Sequence, residues 1–250
     1  MRFLASIVFL ISIIQPVLGQ DQNDLFQQAK KSEIALNETE ALNLYRQILN
    51  IQPTNIVALT RCSELAGSIG GREKDEQKKQ EYFDAAQTYS ETALQVNPND
   101  PAANCARAAI ASRLADLHSG KERMEYIRDM KKYADLSLQA DPRYAKALYI
   151  LGKWHFEVSG FGGVEKTAAK LLYGGMPAAS LDLAIENFEK ARAIDQFLVI
   201  DYLDLAKAYV KNHKSDKAID VLNKMIRLPN RTQDDPALKA EGKKMLAGLQ

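Results

Sequence analysis

The chain has 250 residues, of which 33 are lysine or arginine and 32 are aspartate or glutamate, so its formal net charge is +1. Because acidic and basic residues are interleaved along it, no basic field exists to concentrate a polyanion, and nucleic acid is excluded as an expected partner. Hydrophobic residues make up 46% of the chain, which is enough to bury the core of one elongated domain or two small ones.

The first predicted element is a signal peptide at residues 1–19. A basic residue precedes an apolar run that breaks at Pro16, and the small residue Gly19 precedes Gln20. The run is shorter than the roughly 20 residues that a membrane-spanning helix needs, so cleavage is favoured over a retained anchor. We therefore expect a periplasmic or secreted protein after cleavage near Gly19/Gln20, with residues 20–250 forming one helical repeat domain.

Three proline signals divide the rest of the chain at regular spacing. Pro53, Pro98 and Pro142 lie 45 and 44 residues apart, and each follows a helical stretch. Proline lacks a backbone N–H and disfavours helix in the residue before it, so each signal ends a helical unit. Repeats of this length are typical of stacked helical hairpins, because one hairpin cannot bury its apolar face alone.

Apolar residues recur at helical spacing between these prolines, as Ala41, Tyr45 and Ile48 do before the first. Turns are expected at Gly70-Gly71 and Ser119-Gly120. The spacing predicts helices at about 23–35, 38–50, 55–69, 72–96, 101–118, 121–139, 143–158, 180–194, 198–212, 215–228 and 235–249, the last of them a capping helix. The predicted fold class is all-α, an α-solenoid of antiparallel helical hairpins that forms a tetratricopeptide-like right-handed superhelix.

One segment, 159–179, interrupts the third full repeat. Its middle, Val164 to Tyr173, has helical spacing, and glycine pairs bracket it, so an inserted helix is expected. Two interpretations stay open: a lid that covers one end of the groove and takes part in binding, or a structural cover over an exposed seam. In the lid hypothesis, Trp154 and Phe156 supply the surface that the inserted helix covers.

Several segments in order along the chain resemble the regulator of microtubule dynamics family. They are Leu151 to Ser159, Glu165-Lys166, Ala168-Ala169, Ala184 to Ala191, and Arg227-Leu228-Pro229 followed by Thr232 and Asp234-Asp235. The resemblance covers roughly 80–250. It implies a tetratricopeptide fold, association with microtubules and, in some members, a membrane anchor and a repeat domain that binds phospholipid. An exported chain would not meet microtubules, so the fold is expected to carry over and a microtubule partner is not.

No pattern predicts catalysis, a metal or a cofactor. His118, His155 and His213 fall on separate predicted hairpins without ligand-spaced partners, and the glycine pairs lack the strand and the Lys-Ser/Thr ending of a phosphate loop. His155 lies in an apolar stripe and is expected to be a hydrogen-bonded core residue. Cys62 and Cys105 are expected to be separate buried thiols, because they fall on different helix faces.

The first helices of the hairpins should line the concave groove of the array. This predicts nine exposed positions, Ala102, Cys105, Ala109, Tyr149, Lys153, Phe156, Leu203, Lys207 and Val210, of which the last six are the candidate site. The first hypothesis is a non-catalytic scaffold that holds an extended or helical apolar segment of a protein partner. The alternative is a carrier of an apolar ligand such as a phospholipid, with the head group bound by Lys153 and Lys207.

Overall fold

The structure is a computed structural model that describes residues 15–250, with side chains from residue 22 onward. Most of the predicted signal peptide, 1–19, lies outside the described residues, so its cleavage and the export that follows from it stay predictions. The described part of the chain contains α-helices as its regular elements: α1 (Gln15–Ile34), α2 (Glu38–Ile51), α3 (Ile56–Arg72), α4 (Glu76–Val96), α5 (Pro101–Leu117), α6 (Gly120–Ala140), α7 (Ala145–Ser159), α8 (Gly163–Tyr173), α9 (Leu181–Ile194), α10 (Val199–Lys211), α11 (Ser215–Met225) and α12 (Asp235–Leu249).

The helices stack as antiparallel hairpins, which confirms the predicted α-solenoid. The pairs are α1–α2, α3–α4, α5–α6, α7–α9 and α10–α11, and α12 packs on the last pair. Helix α8 is inserted in the third hairpin after the first proline signal, as predicted. Successive first helices, from α3 through α5, α7 and α10 to α12, pack on one another and form the inner face of the array, while α2, α4, α6, α9 and α11 form the outer face. No described helix combines the length and the apolar character that crossing a membrane requires.

Local sequence explains most helix boundaries. The prolines of the three predicted signals lie in the loops after α2, α4 and α6. Several helices begin where a side chain accepts a hydrogen bond from a free N–H of the first turn, which satisfies one of the groups that a helix start leaves unpaired. The capping residues with such a bond are Asn37, Asn55, Asp75, Asp100 and Ser180.

The predicted turn at Gly70-Gly71 is wrong, because both residues belong to α3 and the chain turns at 73–75. A side chain at Gly70 would place its Cβ 2.9 Å from Cβ of Tyr82. The glycine therefore allows α4 to lie close against α3. Gly70 was predicted to form a turn, but its role is to allow close helix packing.

Both cysteines are free, buried thiols. Cys105, expected to face the groove, lies instead in the core formed by α5, α6, α7 and α8, so that assignment is wrong. Its position follows from the close packing of α6 and α7 against α5, which covers the helix face that was assigned to the groove. Burial raises the pKa of Cys62 to about 12 and raises the pKa of Cys105 above its usual range.

We expect iodoacetamide to modify neither Cys62 nor Cys105 in the folded chain at mildly alkaline pH, and to modify both in denaturant. The thiolate is the reacting species, and burial disfavours it at both positions. Mass spectrometry of the alkylated protein over time measures the result. Rapid labelling of one thiol in the native protein would show that its hairpin opens locally.

Candidate functional site

A cleft of about 390 Å³, here called the inner cleft, opens on the inner face in the C-terminal half of the array. Its walls come from α5, α7, α9, α10 and α12, through Asp116, Tyr149, Lys153, Phe156, Glu157, Phe188, Ile200, Leu203, Asp204, Lys207, Leu238 and Glu241. Five of the six candidate site residues are therefore brought together around one opening. The sixth, Val210, lies outside this lining and packs partly buried against the core of α9 to α12.

The floor of the inner cleft is apolar. The rings of Tyr149 and Phe188 lie 5.9 Å apart between centroids. Leu203 was predicted to be exposed, but it is fully buried in the core formed by α9 to α12, so its predicted exposure is wrong. Phe156 lies near the ammonium group of Lys211, 4.7 Å from the ring centroid. Such a floor can accept an apolar side chain, because each aromatic residue provides a large apolar contact area.

Both lysines of the cleft are held in ion pairs. Lys153 Nζ lies 2.9 Å from Asp116 Oδ2 and 3.6 Å from Glu157 Oε1, and it donates to Ser112 Oγ at 2.9 Å. Lys207 Nζ lies 2.9 Å from Glu241 Oε1 and 3.4 Å from Asp204 Oδ1. Four carboxylates therefore face these two ammonium groups, and Glu157 also contacts Arg123 at 3.5 Å. The acidic character of the rim comes from Asp116 and Glu241, the two carboxylates that are about half exposed.

These four carboxylates were not among the residues predicted from the sequence. Spacing could have found two of them, since Glu157 follows Lys153 by four residues and Asp204 precedes Lys207 by three on the same helix faces. Leu238 and Glu241 could not be found in that way. Their place in the cleft depends on how α12 docks, which no local pattern fixes.

Burial and neighbouring charge set the protonation of the cleft. The Tyr149 hydroxyl donates to Asp204 Oδ2 at 2.9 Å, and burial together with this carboxylate raises the pKa of Tyr149 well above its usual range. Burial raises the pKa of Glu157 despite the nearby Lys153. Burial alone would lower the pKa of Lys207, but the carboxylates of Asp204 and Glu241 raise it. Tyr149 thus remains a neutral donor and Lys207 a cation at neutral pH.

A polar network occupies the inner face nearer the N-terminus. Arg61 of α3 pairs with Glu33 of α1 at 2.9 Å and also contacts Glu64, which in turn pairs with Lys146 of α7 at 2.7 Å. Three first helices are therefore joined across the concave side. This network fills space that the open groove of the sequence-based prediction would have left free.

The two ends of the array also meet, at a contact that we call the Arg72 tie. Arg72 at the end of α3 pairs with Asp234 at 2.6 Å and with the buried Glu38 at the start of α2. Glu38 Oε1 accepts a hydrogen bond from the backbone N–H of Gln233 at 3.0 Å. The loop before α12 is thus fixed to the first hairpin, while α12 itself packs on α10 and α11.

The inserted segment does not cover the inner cleft, so the lid hypothesis is wrong in its placement. Helix α8 packs against α6 on the outer face, and Phe161 and Ala169 join the core around Trp154. Trp154 faces this core as expected, but Phe156 points to the inner cleft. The two residues lie on opposite sides of α7, so one inserted helix cannot cover both. Helix α12 lines the inner cleft instead, through Leu238 and Glu241.

His155 is buried as predicted, but its Nδ1 has no hydrogen-bond partner, so the expected hydrogen bond there is wrong. Its ring lies 5.0 Å from that of Trp154. Burial and the nearby Lys131 lower the pKa of His155. Across residues 22–250, no three side chains of the kinds that bind metals come together.

Comparison with known proteins identifies similar chains. The profile of the family described as Regulator of microtubule dynamics protein 1-3 matches residues 23–250. Human regulator of microtubule dynamics protein 2 is 22% identical over 213 residues, which are 85% of this chain and 52% of that protein. Bovine regulator of microtubule dynamics protein 1 is 25% identical over 192 residues, 76% of this chain and 60% of that protein. The chain thus spans about half to three fifths of the length of these relatives.

Among solved structures, a thermophilic TPR protein of Thermus thermophilus, TTC0263, matches with a TM-score of 0.65. The match covers 90% of this chain and 99% of that one at 15% sequence identity. At this identity the likeness shows the fold and nothing further. The tetratricopeptide-like fold predicted from the repeat spacing is confirmed.

Proposed function

Because this chain belongs to the regulator of microtubule dynamics protein 1-3 family and has a tetratricopeptide-like fold, we propose that it is a non-catalytic scaffold that holds a protein partner in its inner cleft. The observation that carries the proposal is the cleft itself, an apolar floor under an acidic rim on the concave face. Concave faces of helical repeat arrays are extended binding surfaces. Following the predicted signal peptide, we place this binding outside the cytoplasm.

The chemistry of the cleft indicates what kind of partner fits. An apolar side chain can contact Phe156 and Ile200, which are partly exposed in the cleft, and a lysine or arginine beside it can pair with Asp116 or Glu241 on the rim. Those two carboxylates are about half exposed, so they can exchange their internal partners for an incoming cation. The proposed ligand is therefore a peptide segment that combines an apolar anchor with basic flanks.

The alternative, a phospholipid carrier, loses its main support in this cleft. It required Lys153 and Lys207 to meet an anionic head group, but both lysines are paired internally and outnumbered by carboxylates. An anion would have to displace these pairs and approach an acidic rim. The names of the relatives refer to microtubule dynamics. The predicted export would separate this chain from microtubules, so the proposal covers the binding of a protein partner and no role at microtubules.

A photocrosslinking residue at Ile200, in the cleft, should capture the partner, whereas the same residue at Lys190, on the outer helix α9, should not. The affinity of the captured protein can then be measured for the double variant Asp116→Lys with Glu241→Lys. We expect Kd to rise about tenfold or more at low salt, since a rim of reversed charge repels a basic segment.

The matched control is Glu81→Lys with Asp84→Lys, which makes the same charge change at two exposed carboxylates of α4, a helix that does not line the cleft. Its Kd should stay within about twofold of the parent, because charges far from the cleft are screened. Equal crosslinking from Ile200 and Lys190, or an unchanged Kd in the rim variant, would contradict the proposal.

A further inference from the structure

A second cavity, of about 330 Å³, lies between α6, α7 and the segment after α8, and we call it the α6 cavity. Arg128, Lys131, Lys132 and Asp135 of α6 form one side. The others are Trp154 of α7, Met176 and Pro177. The cavity shares no lining residue with the inner cleft, so whatever it binds is independent of the function proposed above.

The cations of the α6 cavity exceed its carboxylates. Asp135 is paired with Lys131 at 2.6 Å, and the adjacent Asp129 is directed to Arg107 at 3.5 Å. Within the described part of the chain, this leaves Arg128 and Lys132 without a carboxylate inside 4.0 Å. These two exposed residues lie one helical turn apart on α6 and can approach the same anion from one side.

Aromatic rings contact the cations that line the α6 cavity, and Lys132 Nζ lies 4.8 Å from the ring centroid of Tyr133. The guanidinium carbon of Arg128 lies 4.6 Å from the ring centroid of Tyr173, on the inserted helix. Lys131 Nζ lies 5.2 Å from the ring centroid of Trp154, which is fully buried. A cation–π contact orients the guanidinium of Arg128 without neutralising it, whereas the charge of Lys131 is already paired with Asp135.

Trp154, which lines this cavity, also has an unsatisfied buried donor. The indole N–H of Trp154 has no hydrogen-bond acceptor among the described residues. Buried polar groups are nearly always paired, and an orphaned one calls for a specific explanation. Met176 and Pro177 add apolar surface from the inserted segment, so the cavity offers both cationic and apolar contacts.

We propose that the α6 cavity binds a small organic anion, in which a phosphate or carboxylate group is joined to a short apolar chain. Arg128 and Lys132 pair with the anionic group, and Met176 and Pro177 contact the apolar part beside the buried Trp154. The volume of the cavity lies within the range of about 300 to 1,000 Å³ that is common for small-ligand sites. The inserted segment thus completes a site on the outer face rather than a lid on the inner one.

The chain offers its own reporter for this site, because Trp154 is its single tryptophan. Its fluorescence can be titrated with hexyl phosphate, hexanoate, inorganic phosphate and hexanol, with calorimetry in parallel. We expect saturable binding of hexyl phosphate or hexanoate, weaker binding of inorganic phosphate, and none of hexanol. Comparing hexyl phosphate with hexanoate identifies the preferred anionic group.

The test variant is Arg128→Gln with Lys132→Gln, and the matched control is Lys166→Gln with Lys170→Gln, two exposed lysines of α8 outside the lining. The test variant should raise Kd about tenfold or more, since it removes two charge-assisted hydrogen bonds, while the control stays within about twofold. Four outcomes would overturn the proposal: no saturable response to either organic anion by both methods, equal binding of hexanol, the same Kd in the test variant, or the same loss in the control.

Discussion

Replacing Gly152 with leucine should lower the free energy of unfolding by about 3 kcal/mol or more, which is a large share of the stability of a typical domain. A Cβ at this position would lie 2.6 Å from Cδ1 and 2.8 Å from Cε1 of Phe188. Phe188 is fully buried at the contact between α7 and α9, so its ring cannot move aside without disturbing the core. Gly152 therefore sets how closely these two helices approach.

Urea unfolding followed by circular dichroism measures this effect. Gly248→Leu is the control, because a side chain there would meet nothing within 4 Å. Phe188→Ala alone should cost about 3 to 5 kcal/mol, yet in the Gly152→Leu background it should cost much less, because each change relieves the other. Additive losses in the double variant would show that the two residues do not contact each other.

Glu64→Gln should cost about 3 kcal/mol of stability at neutral pH, a loss that fades as the pH falls. Burial alone would raise the pKa of Glu64, but the ammonium of Lys146 and the guanidinium of Arg61 lower it to about 2, from an ordinary value of 4.5. A carboxyl whose pKa is depressed by folding stabilises the native state above its unfolded pKa. That contribution is lost as the pH falls from 4.5 through 2.

The test compares the parent chain with Glu64→Gln in urea at several values between neutral pH and the acid end of this window. The stability difference should be largest at neutral pH and should shrink as the pH falls toward 2, where Glu64 is protonated in the unfolded chain and about half protonated in the folded one. Glu122→Gln, at an exposed carboxylate, controls for general acid sensitivity. A difference that does not change with pH would show that packing, and not charge, carries the contribution of Glu64.

The helices and their stacking could be predicted because they depend on local, periodic signals. Proline spacing and apolar stripes fixed the hairpins to within a few residues, and they placed Tyr149, Lys153 and Phe156 on the inner face of α7. These signals act within one or two helical turns, so a single sequence contains them. The same signals misjudged Gly70, where a glycine serves close packing in the middle of a helix.

What could not be predicted depends on contacts between distant parts of the chain. Glu241 enters the inner cleft because α12 docks on α10, and Lys146 reaches Glu64 across 82 residues of sequence. The position of α8 could not be predicted from the sequence either, since an amphipathic helix between glycine pairs can cover either face of α7. The structure assigns it to α6, and α12 occupies the place that the lid hypothesis gave it.

The Arg72 tie changes how the stability of this array is distributed. In an open solenoid each repeat contacts its neighbours alone, and the two terminal repeats fray independently of each other. Here Glu38 in the first hairpin and Asp234 before the capping helix share one guanidinium, so the terminal units support each other directly. The first hairpin and the loop before α12 therefore contact each other in addition to their neighbours along the array. We therefore expect the first hairpin and α12 to unfold together rather than to fray separately.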